Sequence, residues 1–325
     1  MADTVTILGI NGRIGQFAAK AFIEAGWNVV GFGRSNKTAF DGFTFVQGDA
    51  IQLEDVKRAI KDADVVVHAL NLPYDQWEGE AERLNDVVIE AMKGTGKTLV
   101  FSANVYNFAA SVAKMTPDGV QNPETPKGEI RKRMEEALKA GALNHGFKAF
   151  MLRAGDFYGP GAEGSWFDLG FAMNFKKRKI TLPCDGQTKH TWAYLPDLGR
   201  AFEKVAAKRD ELNTFENLHF HGNFVTGNEI ADAIQRVVPQ PYKVVNLPWW
   251  LFSVVGVFQP VIREVIKMRY LWKSPQELLD PKLDAILGAG FGTPFERAVA
   301  ETTLALLPAA ELEKLKTMKR TSVLA

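Results

Sequence analysis

TVTILGINGRIGQFAAKAFIEAGWNVVGFGRS, residues 4–35, contains two short apolar runs separated by a helical pattern. The runs TVTIL and WNVVGFG are rich in β-branched residues, and between them apolar residues recur every three to four positions. This order predicts a strand, a helix and a second strand. FTFVQ, DVVVHAL and KTLVFSAN continue the alternation further along the chain. Because these runs lack polar alternation, they predict a doubly wound α/β fold, a parallel sheet covered by helices on both faces.

A glycine-rich loop, GINGRIG, follows the first predicted strand at residues 9–15. In a strand–loop–helix unit, Gly9 makes the tight turn, Gly12 lets a pyrophosphate approach the backbone, and Gly15 lets helix and strand pack closely. The amides and dipole at the start of the helix attract phosphate charge. The loop therefore predicts a dinucleotide site on a Rossmann-type sheet, with further contacts from Asn11, Arg13 and Ile14.

A second glycine-rich stretch, AMKGTGKT at residues 91–98, has the spelling of a loose phosphate-binding loop. Such a loop needs a strand before it and a helix after it. Here the helical pattern ERLNDVVIEAM precedes the stretch and the strand-like TLVFSAN follows it. Gly94 and Gly96 are therefore predicted to end a helix and form a turn.

The end of the second predicted strand bears on which nicotinamide dinucleotide is bound. An NAD-preferring site has an acidic residue about twenty positions past the loop, whereas this chain has Gly33-Arg34-Ser35 and no carboxylate before Asp41. A guanidinium holds a 2′-phosphate in a bidentate fork. Arg34 and Ser35 therefore favour NADP(H) over NAD(H). The alternative is that Arg34 stacks on the adenine and the site accepts both.

The composition argues against several classes of protein. The 39 basic and 38 acidic side chains give a net charge of +1, so no overall field attracts nucleic acid. Cys184, the only cysteine, excludes an intramolecular disulfide and a cysteine metal cluster, which fits a reducing compartment. His219 and His221 lack a third ligand, and packing explains them better than a metal. With no export signal or bilayer-length apolar run, a cytoplasmic protein without integral membrane association is expected.

The alternation of strands and helices weakens after Gly155, where glycine, proline and aromatic residues cluster. This change predicts a dinucleotide-binding domain at residues 1–155 and a smaller, interwoven substrate domain at residues 156–189 and 223–295. C-terminal helices are expected at residues 296–325. The apolar TFENLHFHG predicts a core strand, so segments near 190–222 are expected to return to the first domain.

Several segments, in family order over most of the chain, resemble the extended short-chain dehydrogenase/reductase family of the NAD(P)-dependent epimerase/dehydratase type. They are GINGRIG, QGDAIQLEDVKRAIKDADVVVHAL, the next helix with Asn85, VFSANVYN, LRAGDFYGPG, HTWAYLPDLGRAF and LDAILGAGFGTPFERAVAETT. The resemblance implies a homodimer through the helices beginning near Gly79 and Gly128. It also implies that six residues contact the cofactor: Asp49, Ala50, Ala69, Leu70, Asn71 and Gly155. It implies that Ser102 is the active-site serine. Asp49 alternatively caps a turn, and Asn71 alternatively starts a loop.

The family's catalytic pair, a tyrosine with a lysine four residues later, is absent. In the matching stretch PKGEIRK, Lys127 has the place of the tyrosine and Arg131 that of the lysine. One explanation makes Lys127 the acid/base, with its pKa lowered by Arg131 and burial, while Ser102 orients the substrate oxygen. In a second, another tyrosine reaches the site: Tyr74, Tyr106, Tyr158 or Tyr194. In a third, the chain binds the dinucleotide as a sensor or scaffold and catalyses nothing.

Substrate contacts are expected near the ends of later strands. Asp156 and Tyr158 follow a strand whose carboxyl end faces the cofactor crevice, and His190 either contacts the substrate or satisfies a strand end. An aromatic set either lines an apolar pocket or packs in the core: Trp166, Phe167, Trp249, Trp250, Phe252 and Phe258. Nearby basic residues suit an anionic head on an apolar substrate: Arg263, Lys267, Arg269 and Lys273.

The expected function is therefore that of an NADP(H)-dependent oxidoreductase or epimerase/dehydratase-like enzyme, acting by hydride transfer on a small molecule. Ser102, Lys127 and Arg131 are its candidate catalytic groups. Tyr74, Tyr106, Asp156, Tyr158 and His190 are its candidate substrate contacts. The alternative is a dinucleotide-binding regulator that has lost the tyrosine–lysine pair.

Overall fold

The first half of the chain alternates strands and helices, as its apolar pattern predicts. The computed structural model describes residues 2–183 and 185–323, without the side chains of residues 261 and 318–323, so Cys184 lies outside the described residues. The elements of this half are β1 (Thr4–Leu8), α1 (Arg13–Glu24), β2 (Asn28–Gly33), β3 (Thr44–Gln47), α2 (Leu53–Ile60), β4 (Val65–His68), α3 (Glu80–Met92), β5 (Thr98–Ala103), β6 (Lys114–Met115), α4 (Pro126–His145) and β7 (Lys148–Arg153).

The second half has shorter strands and more irregular connections. Its elements are β8 (Asp156–Tyr158), β9 (Lys179–Leu182), β10 (Lys189–Tyr194), α5 (Leu195–Ala207), β11 (Phe215–His219), β12 (Asn223–Thr226), α6 (Gly227–Gln235), β13 (Lys243–Asn246), α7 (Trp249–Phe258), α8 (Pro260–Lys267), β14 (Glu277–Leu278), α9 (Pro281–Leu287), α10 (Phe295–Leu306) and α11 (Ala309–Val323). A π-helical turn at Phe167–Phe171 lies between β8 and β9.

Within the described residues, seven parallel strands form the main sheet, in the order β3-β2-β1-β4-β5-β7-β11. In the centre, Val5 is opposite Val65, and Val65 is opposite Thr98. TFENLHFHG supplies β11, which returns to the edge beside β7. The doubly wound parallel sheet predicted from the sequence is confirmed.

Apolar side chains are buried on both faces of this sheet. On one face, Ala18 and Phe22 of α1 and Phe202 of α5 pack against β1 and β4. On the other, α2, α3 and α4 pack their apolar residues against the opposite side of the same strands. Fully burying one such phenylalanine contributes about 1.5–3 kcal/mol. Burial on both faces explains why these strands read as continuous apolar runs.

The second half builds a separate aromatic core beside the carboxyl edge of the main sheet. Its small sheets have the orders β12-β10-β8, β13-β9 and β14-β6. In the last of these, β14 of the second half pairs with β6 of the first half. Phe171, Trp192 and Trp272 are buried in this core. Helices α7 and α8 pack against each other, and a side chain at Gly256 would lie 2.7 Å from Ile266 Cδ1. In the part of the chain that the structure describes, no helix has the length and apolar content needed to cross a bilayer.

Candidate active site

A cavity of about 500 Å³ opens where the chain leaves β1, β4, β5 and β7. Parallel strands end at one edge of a sheet, so the loops after them bring residues from distant parts of the sequence together. Sequence-predicted residues that line the cavity are Arg13, Ile14, Ala69, Leu70, Asn71, Tyr74, Ser102, Tyr106, Arg131, Gly155 and Asp156, with Trp166 and Phe252 from the aromatic set. Lys127, Tyr158 and His190 are not among its lining residues.

The glycine-rich loop has the local geometry that a pyrophosphate needs. Gly9 adopts a φ of 92°, which favours glycine, and a Cβ at Gly15 would overlap the Gly9 carbonyl oxygen. Gly12 is the N-cap residue of α1 and has no side chain to cap the helix, and the first turn of α1 contains no acidic residue. The first amides of α1 are therefore available to an anion, so this end of the site fits a dinucleotide.

The chain after β2 forms an exposed turn beside that loop. Asn11 fixes the turn, because its amide nitrogen donates to the Ser35 carbonyl at 2.6 Å and its amide oxygen accepts from the Lys37 amide at 2.8 Å. The side chains of Arg34 and Lys37 are both exposed. Neither has an ion-pair partner among the described residues. Two cations therefore flank the place where the adenosine end of a dinucleotide would lie.

Asp49 and the segment after β4 were predicted to line the cofactor. Asp49 Oδ1 accepts from the Ile51 amide at 3.3 Å, so the structure contains the turn cap that was the alternative reading. Ala50 is buried. Ala69 and Leu70 are half-buried and Asn71 is exposed along the cavity wall. Contact of these residues with a cofactor stays a prediction.

Two tyrosine hydroxyls meet at the cavity wall. Tyr74 lies on a short helical turn after β4, Tyr106 follows β5, and their oxygens are 2.6 Å apart. Trp77 packs against both rings, with centroid distances of 5.4 and 6.4 Å. Burial raises the pKa of Tyr74, and burial and the neighbouring Tyr74 raise that of Tyr106 well above its usual value. Both hydroxyls are therefore protonated at neutral pH, and one of them is free to donate to a third group.

Asp156, the first residue of β8, also lines the cavity. Burial raises the pKa of its carboxyl to about 7. Its charge in turn raises the pKa of both Tyr74 and Tyr106, which indicates that the three groups are close. Among the described residues, none forms a hydrogen bond with the Asp156 carboxyl. This carboxyl can therefore exchange a proton near neutral pH.

Arg131 lies in the second turn of α4 and reaches the end of β5. Its guanidinium donates to the Ser102 carbonyl oxygen and lies 4.6 Å from the centre of the Phe101 ring. Burial lowers its pKa to about 10, so it remains charged at neutral pH. Arg131 Nε has no hydrogen-bond partner in the part of the chain that the structure describes. The Ser102 hydroxyl lines the cavity and bonds to no described residue, so Arg131 and Ser102 both retain hydrogen-bonding capacity toward a ligand.

Lys127 points toward α8 and is nearly buried. Its ammonium lies 2.5 Å from Glu264 Oε2, and the two side chains are 7% and 17% exposed. The same ammonium is 5.4 Å from the centre of the Tyr74 ring. One reading of the sequence makes Lys127 the acid/base. In the structure its ammonium is paired with a carboxylate of α8, and Lys127 does not line the cavity. Direct acid/base action by Lys127 stays a prediction. Sequence reasoning missed Glu264, although it is the only acid in the basic stretch REVIKMRYLWK.

Tyr158 and His190 are core residues of the second half. The Tyr158 hydroxyl donates to Asn223 Oδ1 at 2.5 Å, and the residue is 1% exposed. The His190 ring packs on Trp272 at 4.9 Å, and burial lowers its pKa to about 4. The structure therefore does not bring either side chain to the cavity. Gly155 does line it, and a Cβ there would overlap the Thr191 carbonyl oxygen, so close packing of β10 also requires this glycine.

A buried charge network, which the sequence did not predict, supports the floor of the site. Arg153 at the end of β7 is fully buried and donates to Glu135 Oε2 of α4 at 2.5 Å. It also donates to the Asn104 carbonyl after β5 and to His219 of β11. A charge that pairs this way fixes the relative position of three strand ends. No local pattern signals it, because its partners are separated by 18 to 66 residues.

The model of the NAD dependent epimerase/dehydratase family matches residues 5–219. A curated relative from Schizosaccharomyces pombe, an uncharacterized protein, is 27% identical over 157 residues. That alignment covers 46% of this chain and 52% of the relative, so the chain spans about half the length of the curated relative that it matches.

Solved structures share the fold over most of this chain. MoeE5 in complex with UDP-glucuronic acid and NAD is 18% identical, with a TM-score of 0.74, and 93% of this chain and 98% of that chain are covered. The UDP-glucose 4-epimerase from Brucella ovis in complex with NAD is also 18% identical, with a TM-score of 0.72 and coverage of 93% and 97%. A putative epimerase from Burkholderia cenocepacia is 15% identical, with a TM-score of 0.74, and 94% of this chain and 98% of that chain are covered. The family match covers the glycine-rich loop and the strand ends around the cavity, and by it the chain belongs to the NAD dependent epimerase/dehydratase family.

Proposed function

We propose that this protein binds NADP(H) and catalyses hydride transfer to or from a small molecule held in the cavity. The observation that carries the proposal is the meeting of the Tyr74–Tyr106 pair with Asp156 on a cavity that begins at the glycine-rich loop. The dinucleotide supplies the hydride when bound. The residues of this chain supply the orientation of the substrate and the proton.

The preference for NADP(H) is supported by charge. Arg34 and Lys37 are exposed beside the loop, and no carboxylate occurs between Gly33 and Asp41. A 2′-phosphate carries negative charge that these cations can neutralise, whereas a 2′-hydroxyl gains nothing comparable. Two of the solved structures named above, MoeE5 and the Brucella ovis epimerase, are complexes with NAD, so the preference is a proposal about this chain alone.

The proton is assigned to the tyrosine pair. A raised pKa keeps both hydroxyls protonated, so one of them can donate to the oxygen of a carbonyl substrate as that oxygen gains negative charge. The second hydroxyl stabilises the resulting phenolate with a hydrogen bond, and Asp156, with a pKa of about 7, returns a proton to it. Oxidation of an alcohol uses the same groups in reverse.

The remaining predicted groups have supporting roles in this proposal. The Ser102 hydroxyl binds the substrate oxygen, and Arg131 holds the end of β5 in place through the Ser102 carbonyl. Lys127 acts as a positioning residue, because it joins Tyr74 to Glu264. Direct acid/base action by Lys127 is the competing assignment, and the two are separated by the variants below.

Calorimetric titration of NADPH and NADH at fixed salt tests the cofactor assignment. We expect tighter binding of NADPH, and Arg34→Ala is expected to weaken NADPH binding about tenfold while leaving NADH binding unchanged. Arg83→Ala, which removes an exposed arginine from α3, is the matched control. Equal affinities for both dinucleotides would contradict the preference, and binding of neither would contradict the cofactor assignment.

A panel of carbonyls and alcohols, followed by NADPH absorbance, then tests the chemistry. Tyr106→Phe or Tyr74→Phe is expected to reduce kcat about 100-fold or more, while NADPH affinity stays the same. Lys127→Gln is expected to change KM and thermal stability more than kcat. If Lys127→Gln abolishes turnover and both phenylalanine variants keep it, the proton belongs to Lys127.

A non-catalytic sensor is the second candidate, and the absence of the tyrosine–lysine pair in PKGEIRK favours it. A sensor binds NADPH tightly but consumes none with any substrate of the panel. In that case Tyr106→Phe changes only stability.

A further inference from the structure

Helix α7 presents an apolar surface to solvent. Its sequence WWLFSVVGVF contains no charged residue. Five of its side chains are exposed by 44–81%: Trp250, Leu251, Val254, Val257 and Phe258. Contiguous exposed apolar surface of this kind marks an interaction site in a water-soluble domain.

Basic side chains border this apolar surface. Arg263, Lys267, Arg269 and Lys273 are exposed on α8 and on the turn after it. Between residues 249 and 273 the only acid is Glu264, whose carboxylate is held by Lys127 and Lys267 at 2.5 and 2.7 Å. The turn Tyr74–Gln76, which packs against α8, adds the exposed Asp75. The surface therefore combines apolar side chains with an excess of positive charge.

The same two helices form part of the cavity wall. Phe252 of α7 and Ile262 and Val265 of α8 line the cavity from this side. Leu169 and Met173, near the π-helical turn, line it as well and are 58% and 44% exposed. This end of the cavity is therefore apolar, and the helices that form part of it also carry the apolar surface.

From these observations we infer that α7 and α8 dock the protein on an anionic lipid surface, and that the apolar end of the cavity opens toward it. Tryptophan and phenylalanine beside arginine and lysine are the composition of helices that lie in the membrane interface. Lysine is depleted from protein interfaces but is attracted to an anionic leaflet. A lipid surface thus explains both features, while a second protein explains only the apolar one.

The docking fixes the class of substrate that suits the site. A substrate that enters from a lipid surface past Leu169, Met173 and Phe252 has an apolar body, and its carbonyl or alcohol reaches the tyrosine pair. This last step rests on the proposed function. The docking itself does not depend on it.

Co-sedimentation of the full chain with lipid vesicles tests the docking. One set of vesicles contains phosphatidylcholine alone, and the other contains phosphatidylcholine with phosphatidylglycerol. We expect binding to the anionic vesicles that weakens as salt is raised. Arg263→Gln with Lys273→Gln should reduce affinity about 25-fold, or about fivefold for each charge removed.

A second double variant probes the apolar surface. Val257→Glu with Phe258→Glu should abolish vesicle binding, whereas Val120→Glu, at a loop residue that is 79% exposed, should leave it unchanged. Thermal unfolding and NADPH affinity, measured without vesicles, should be the same for all variants.

Several results would overturn the docking. They are equal binding to both kinds of vesicle, no vesicle binding, or unchanged binding after Val257→Glu with Phe258→Glu. If the wild type does not bind vesicles but is a dimer, and the double variant is a monomer, the surface is an interface between two copies of the chain. If vesicles bind and NADPH does not, the docking stands and the proposed function fails.

Discussion

Asp156 combines a raised pKa with the absence of a hydrogen-bond partner among the described residues, and the second feature favours the first, because donors to a carboxylate would lower its pKa. A carboxyl group in this state stays partly protonated at neutral pH, because burial disfavours its charged form. In the proposed function, Asp156 returns a proton to the Tyr74–Tyr106 pair. That proposal draws on side chains from three separate segments of the chain rather than from one helix.

Replacement of Asp156 by asparagine should change how stability depends on pH. The carboxyl has a pKa of about 7 in the folded protein and about 3.9 when unfolded. Between these values the folded state binds more protons, so the free energy of unfolding of the wild type falls as pH rises. Asparagine does not titrate. We therefore expect the Tm of Asp156→Asn minus the Tm of the wild type to increase from pH 4 to pH 7.

Asp185 provides a control of opposite sign for that measurement. Amides of Thr188 and Gln187 donate to its carboxylate and lower its pKa. Its stabilisation is present above the unfolded pKa and is lost as pH falls through the folded value. Asp185→Asn should therefore lose Tm at neutral pH and match the wild type in acid. A flat difference for Asp156→Asn across the same range would contradict the assigned pKa.

At the scale of elements, α8 is attached to α4 by a nearly buried ion pair. Burial alone would raise the pKa of Glu264, but the bonds from Lys127 and Lys267 outweigh it and lower the pKa. The pair holds a helix of the cavity wall next to the helix that carries Arg131. In the proposed function, Lys127 acts on the site through the position of α8 and of Tyr74.

Glu264→Gln should lower the free energy of unfolding by about 2 kcal/mol at pH 7, because Lys127 would remain charged and nearly buried. The stabilisation by Glu264 is complete above its unfolded pKa of about 4.3 and is lost as pH falls through the lower folded value. Thermal unfolding should therefore show that Glu264→Gln is less stable than the wild type at pH 7 and nearly as stable at pH 3. Glu54→Gln, which removes an exposed partner of Lys57, should show no such difference. A deficit that persists in acid would contradict the ion-pair account.

At the scale of the whole molecule, the site exists because two halves of the chain meet at one sheet edge. The main sheet supplies the loops after β1, β4, β5 and β7, and the second half supplies the opposite wall from the π-helical turn, α7 and α8. Arg153, at the end of β7, links the ends of β5 and β11 and helix α4 through the Asn104 carbonyl, His219 and Glu135. Movement of one strand end therefore affects the others.

The homodimer through α3 and α4 remains a prediction from family resemblance. Sedimentation velocity over a range of protein concentrations should show a dimer. Leu143, which is 59% exposed on α4, is a suitable probe. Leu143→Glu should shift the equilibrium toward monomer, and Val120→Glu should not. A monomer at all concentrations would contradict the prediction.

The sequence by itself determined the fold, and it predicts the cofactor end of the site. Continuous apolar runs, the spacing of Gly9, Gly12 and Gly15, and the order of elements around Gly94 and Gly96 are local features, and local backbone rules interpret them directly. The helix does end at Met92, and both later glycines adopt positive φ. Arg34 also needed no tertiary information, since its position after β2 follows from the chain order.

Only the tertiary structure decided which polar groups meet at the reacting end. Tyr74 and Tyr106 are 32 residues apart, and Lys127 and Glu264 are 137 apart. Family order pointed to Lys127, but whether a lysine faces a cavity or a carboxylate depends on where α8 packs. The raised pKa of Asp156 likewise depends on the burial that surrounding elements create. Sequence patterns report neighbours along the chain, whereas pairing and dielectric environment depend on neighbours in space.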